Sequence, residues 1–290
     1  MNKTGHKGIS ILFSAPVVAV LLALDLVALT VLYATITISL SSLPDVDIHL
    51  QKLDSVQLFN VNLRGLQLFN LPLRLLPYMI TVRFALLFRN IQMRLIGKKA
   101  VVPHSDFTVS HRGITHTFWY MLVIGFFFSI PGFITLYTLS ITLPVEYAEL
   151  LFIDILNASV YVTSAILFLS GFSAVFFHCI GDVFTPTGIN FMSLNTQWGL
   201  SLRNLQFTLF GKEINPEFYY DNKIANRSAS VFGFIGLTYA VFFGIFYGQL
   251  NSLYLLLGFV IIFVAGIPIW LLVVKTRIGE WIYGIYDFFF

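Results

Sequence analysis

Four short segments carry the residues able to do chemistry. In HCIGD, residues 178–182, a histidine and an aspartate stand four apart. On a helix they share a face, and that spacing suits two ligands on one metal ion. A hydrogen bond to a neighbouring helix for His178 and a helix-end role for Asp182 are the plainer readings. In HRGITHT, residues 111–117, His111 and His116 stand five apart, about 140° around a regular helix. Both can turn to one point only if Gly113 lets the chain approach in a tight, non-helical path before the helix begins. In LPDVD, residues 43–47, Asp45 and Asp47 are two anions beside an apolar run. They repel each other and resist desolvation, so an opposing charge is expected; a solvated turn built on Asp45 is the alternative. His6, near the N-terminus, is the fourth contribution.

Pooled, the candidate metal ligands are His6, Asp45, Asp47, His111, His116, His178 and Asp182. Mixed imidazole and carboxylate donors suit zinc, or else manganese or iron, better than calcium or magnesium. The set exceeds the needs of one tetrahedral ion, and two ions would use all of it. Paired ions catalyse hydrolysis by lowering the pKa of a bridging water and clamping a phosphoryl oxygen. Arg112 has no carboxylate neighbour in sequence and is suited to holding a phosphate, or it is a membrane anchor. Arg112, Asp47 and Asp182 are therefore the candidate catalytic residues. Thr115, Thr185 and Thr187 are candidates to orient ligands through hydrogen bonds.

Elements that deliver these residues must be membrane helices. The chain of 290 residues is 57% hydrophobic and only 11% charged, against about 25% charged in a soluble domain. Near-uncharged runs cover 119–142, 155–181, 229–248 and 251–274, and a longer one, 9–43, is broken only by Asp25. A span takes about 20 residues, so the long run reads as a hairpin of two short spans, 9–24 and 26–43. The expected fold is an all-α integral membrane bundle of about six transmembrane helices. Residues 1–228 form a metal-site domain, and residues 229–290 a C-terminal helical hairpin.

Six spans put both termini and the segments 44–118 and 182–228 on one side, with all 17 Lys and Arg residues. The other side has only Asp25, Glu146, Glu149 and Asp154. The positive-inside rule makes the basic side cytoplasmic, and every candidate ligand then lies at that face. Within 44–118, residues 55–77 repeat QLFN and Leu-Arg at ten-residue spacing, reading as an extended or hairpin element. Arg83, Arg89, Arg94, Lys98 and Lys99 alternate with apolar residues, as in an interfacial amphipathic helix drawn to anionic lipid, with a buried bundle helix as the alternative. Segment 55–99 is thus interfacial. The loop 182–228 reads as a cap over the same face, where Asn195, Arg203 and Asn204 could meet a ligand or simply face solvent. A net charge of +3 gives no reason to expect nucleic acid. The single cysteine, Cys179, excludes an intramolecular disulfide framework.

The motifs TGHKG, LPDVD, HRGITHT and HCIGDVFTPTG resemble, over about residues 1–200, the YdjM-like family of membrane-bound, metal-dependent hydrolases, also described as LexA-regulated inner-membrane proteins. The resemblance implies a prokaryotic inner-membrane location and a metal-dependent hydrolase site on the seven residues named above. One departure stands out: the family commonly has His directly after the second Asp, whereas Ile48 occupies that place and His49 follows. A more distant similarity, to zinc-dependent phospholipase C and nucleases, is analogy only. The expected activity is hydrolysis of a phosphoester, such as a phospholipid or other amphiphile, at the cytoplasmic face. Membrane lipids and a small-molecule or lipid phosphoester are the expected partners. An ion transporter and a structural metal scaffold are the rival readings; the first would place ligands near the bilayer midplane, the second would close the coordination shell.

Overall fold

The computed structural model describes residues 3–45, 113–183, 189, 207–209, 212–214 and 222–246, with scattered helical positions between 80 and 95. These residues form an all-helical bundle apart from one short antiparallel strand pair. The helices are α1 (Lys3–Ala23), α2 (Val27–Leu40), α3 (Phe118–Thr142), the short α4 (Val145–Glu149), α5 (Val160–Val183) and α6 (Asn222–Phe246). Strands β1 (Phe207–Leu209) and β2 (Lys212–Ile214) pair between α5 and α6. Four helices, α1, α3, α5 and α6, are long and apolar enough to cross a membrane, while α2 is apolar but shorter. The span expected at 251–274 and the extended element at 55–77 lie outside the described residues.

The hairpin expected around Asp25 is present. Asp25 adopts the left-handed φ of 58°, which its short polar side chain tolerates better than most, and the chain reverses between α1 and α2. The start of α5 is held to this turn. Asn157, also left-handed at φ 47°, donates from Nδ2 to the Asp25 carbonyl at 3.3 Å. These two turns mark one end of the bundle, and the candidate ligands occupy the opposite end.

Four boundaries differ from expectation. The span 9–24 starts six residues early, at Lys3. The span 155–181 begins at Val160, because a π-helical turn over Leu150–Ile155 and the left-handed Asn157 interrupt it, and Ser159 then accepts the Val162 amide. Span 26–43 contracts to Val27–Leu40. The span 229–248 starts seven residues early, at Asn222. Polar residues such as Lys223, Asn226 and Arg227 make that first stretch read as loop. It is helical because Ala225 and Ala229 on one face bury against α1 in the main core cluster, with Ile9, Phe13 and Phe177.

Close helix approach holds the bundle together. Lipid tails are as apolar as leucine, so membrane helices gain most where small residues let backbones meet. Helices α1 and α6 run in parallel, with Gly8 against Ala229, Ser230 and Gly233, Leu12 against Gly236, and Leu22 against Gly244. The α3–α5 pair is antiparallel, with Gly125 against Phe168 and Gly171 against the Ile124 carbonyl. Val31, Phe126, Ile134 and Phe234 point outward and exposed, as lipid-facing residues do. Ile80, Leu87, Ile91 and Leu95 also form an exposed stripe at seven- and four-residue spacing, the pattern an interfacial helix needs.

Candidate metal centre

Each ligand is delivered by a helix end. His6 sits in the first turns of α1. Asp45 follows the C-terminus of α2, where Ser-Ser-Leu-Pro breaks the helix. His116 closes a 3₁₀ turn, Ile114–His116, opened by Gly113, whose carbonyl accepts the His116 amide at 3.1 Å. Thr117 then caps α3, its side chain accepting from the Tyr120 amide. His178 and Asp182 project together from the last turns of α5.

The five side chains meet. Asp182 Oδ2 lies 3.1 Å from His116 Nε2 and 3.2 Å from His178 Nε2, and these two nitrogens are 3.2 Å apart. Asp45 Oδ1 is 3.5 Å from His178 Nε2. On the other side, Asp182 Oδ1 is 3.5 Å from His6 Nε2, and the His6 ring stacks on His178 with centroids 3.8 Å apart. All but Asp45 are fully buried, and Asp45 is 28% exposed. Burial pushes the Asp45 carboxyl upward. Its hydrogen bond with His178, and the charges of His178, His6 and His116, more than offset that and bring it to about 2. Asp45 is therefore anionic at neutral pH.

This arrangement fits a divalent cation. His178 Nδ1 lies 2.6 Å from the Ser41 carbonyl, so it carries the proton donated there, and in the neutral ring Nε2 is a bare lone pair. While the ring is neutral, that lone pair faces a carboxylate and a second imidazole nitrogen, a repulsive encounter that a second proton on the ring or a cation between the groups relieves. Donors around a tetrahedral ion with bonds of 2.0–2.1 Å stand about 3.3 Å from one another, which is close to the spacing among His116 Nε2, His178 Nε2 and Asp182 Oδ2. Two groups are each able to hold an ion: His6, His178 and Asp182, and Asp45, His116 and His178. Because His178 has one lone pair to offer, both cannot use it at once. His6 Nδ1 is buried without a hydrogen-bond partner among the described residues, a further sign of an imidazole placed for something other than the protein.

A family model described as YdjM inner membrane protein matches residues 1–263. The chain belongs to the YdjM inner membrane protein family. Its apolar helices and this membership make it a membrane protein, with a buried His/Asp group at one end of the bundle. No curated protein and no solved structure matches the chain.

Of the seven residues expected as ligands in this YdjM family member, His6, Asp45, His116, His178 and Asp182 converge. Asp47, His111 and Arg112 lie outside the described residues, as do His49, Thr185, Thr187, Asn195, Arg203 and Asn204. Thr115 is beside the site, its Oγ1 3.0 Å from His116 Nδ1. Replacing it with the isosteric valine is expected to weaken zinc affinity roughly 10- to 100-fold, the usual cost of losing a ligand-orienting bond, as read by competitive titration with a chelating dye. The Ser41 carbonyl was not expected. Its signal was Pro44: proline has no amide to close a 3₁₀ turn onto residue 41, which leaves that carbonyl free for His178.

Proposed function

We propose that this protein is a membrane-embedded, metal-dependent hydrolase that cleaves a phosphoester, such as a phospholipid or another amphiphile, reached from the bilayer. The observation that carries the reading is the two-sided placement of Asp182, with Oδ2 toward His116 and His178 and Oδ1 toward His6. A divalent ion bound there, zinc in the first instance and manganese or iron as alternatives, would polarise a phosphoryl oxygen and bring the pKa of water toward neutrality.

The chain's own residues divide the work. Asp45, His116, His178 and Asp182 Oδ2 make a nearly complete donor set on one side. The side facing His6 offers fewer described donors, so a water molecule and a substrate oxygen would be needed to complete the coordination of an ion bound there. His6, with its unpartnered Nδ1, is placed to hold or accept a proton there, or to ligate a second ion with Asp47 or His111. Arg112, next to the Gly113 turn, is assigned the phosphate on sequence grounds. The site lies at helix ends, which would bring it near the level of the lipid phosphates.

The test uses the full-length protein in detergent or nanodiscs with zinc or manganese, assayed on a chromogenic phosphodiester and on anionic and zwitterionic phospholipids. Turnover that disappears with chelator and returns with added metal is expected. Metal binding with no turnover on any of these sinks the hydrolase and leaves the structural-metal reading. The positive-inside pattern supports cytoplasmic termini, so a reporter fused at Glu146 is expected to lie on the outer side. A cytoplasmic signal there reverses the assignment of the metal centre to the inner face.

A further inference from the structure

Polar side chains are not confined to the end that holds the metal centre. On α2, Thr30, Tyr33, Thr37 and Ser41 recur every three or four residues and so share one face, and all four are buried. Helix α1 repeats the pattern with His6, Ser10 and Ser14, and α5 with Thr163, Ser170, Ser173, His178 and Asp182, all buried. Thr37 Oγ1 donates to the Ser170 carbonyl at 3.3 Å, across an offset of 133 residues. Helices α2 and α5 run in the same direction, so the same offset carried two turns back places Thr30 level with Thr163. From Thr163 to Asp182 the stripe on α5 covers about 28 Å at 1.5 Å per residue, close to the ~30 Å of a hydrocarbon core.

Several of these hydroxyls are satisfied within their own helices: Ser14 donates to the Ile11 carbonyl, Thr30 to Leu26, Ser41 to Ile38 and Ser170 to Ile166. Three are not. Ser10 Oγ, Tyr33 OH and Thr163 Oγ1 are buried with no hydrogen-bond partner among the described residues. Tyr33 OH is near enough to the Ser173 and Thr37 hydroxyls to be influenced by weak hydrogen bonds to them, in a geometry short of a full bond to either. An unsatisfied hydroxyl within a bilayer has no lipid partner and keeps its full desolvation cost. A ligand that cures this must donate and accept. It must also be uncharged, since Ser10, Tyr33 and Thr163 stand among neutral side chains on these stripes. Water meets both conditions, and it occupies buried sites where two to four polar groups converge.

We infer that the α1–α2–α5 seam holds internal water, with ordered molecules bound at the buried hydroxyls of Ser10, Tyr33 and Thr163. The inference stands independently of metal and of hydrolysis. Radiolytic hydroxyl labelling of the full-length protein in nanodiscs made up in ¹⁸O-water tests it, because water bound beside a buried ring is itself the source of the radical. Tyr33 is expected to take up ¹⁸O although it is inaccessible from outside, and equally in zinc-loaded and metal-stripped protein. The double variant Ser10→Ala/Thr163→Val is expected to lower Tyr33 labelling several-fold relative to the exposed Tyr147. Wild-type protein in which Tyr147 is labelled and Tyr33 is not overturns the water site without touching the hydrolase reading. Unchanged Tyr33 labelling in a folded double variant overturns the roles of Ser10 and Thr163.

Discussion

Asp182→Asn is expected to abolish stable metal binding by the purified protein, lowering zinc affinity by more than ~100-fold, since even ligand-orienting partners are worth 10–100-fold. The substitution keeps shape and volume and removes the charge. In the native centre the Asp182 carboxylate is within 3.5 Å of three imidazoles, and Asp45 is the other described anion. With an amide in place of that carboxylate, a divalent ion would meet three neutral rings and one carboxylate that is partly exposed. The amide also presents a nitrogen donor that repels the ion on one of its two sides. Metal content by mass spectrometry after dialysis, and affinity by competition with a chelating dye, read the effect. A variant that keeps wild-type zinc content would show that Asp182 only bridges histidines through hydrogen bonds. The two-sided role of Asp182 that carries the hydrolase reading would then have to be abandoned, leaving Asp45, His116 and His178 as the group that holds the ion.

Much of this centre is legible in the sequence, for a reason that lies in membrane topology. Parity of spans alone decides that the start of α1, the end of α2, the start of α3 and the end of α5 share one face. Histidines and aspartates found at those four ends must then lie at one depth. The i, i+4 spacing of His178 and Asp182 gives their common direction. Hydropathy cannot show how far a helix extends beyond its apolar stretch, which is why the polar first turns of α6 read as loop. Nor can it show the π turn at Leu150–Ile155, because it is formed by residues as apolar as the helices beside it. The Ser41 carbonyl is invisible for a different reason. Every residue has a carbonyl, and only the position of Pro44 marks this one as available. The hydroxyl stripes on α1 and α2 are readable from their spacing, yet whether they face lipid or protein depends on packing, which burial alone reveals.

Packing also governs the second large effect. Gly8→Ala is expected to destabilise the protein by about 1–3 kcal/mol, toward the upper end of what overpacking costs, and to weaken metal binding with it. A Cβ at residue 8 would stand 2.5 Å from both the carbon and the oxygen of the Ala229 carbonyl and 2.7 Å from the Ser230 nitrogen. These are backbone atoms, so no rotamer change relieves the clash, and α1 must move away from α6. His6 lies two residues before Gly8 on α1, so the movement carries it relative to Asp182, whose helix α5 does not follow. Gly132→Ala is the matched control. Its Cβ would meet the Cδ1 end of Leu167, which can turn aside, and the roughly 1 kcal/mol gained in helix propensity offsets the adjustment. Thermal unfolding in detergent should therefore separate the two glycines, and zinc affinity should fall only for Gly8→Ala. Adding Ala229→Gly to Gly8→Ala is expected to restore neither property, because the obstructing atoms remain. Recovery in that double variant would mean that side-chain bulk, rather than backbone approach, sets the distance between α1 and α6.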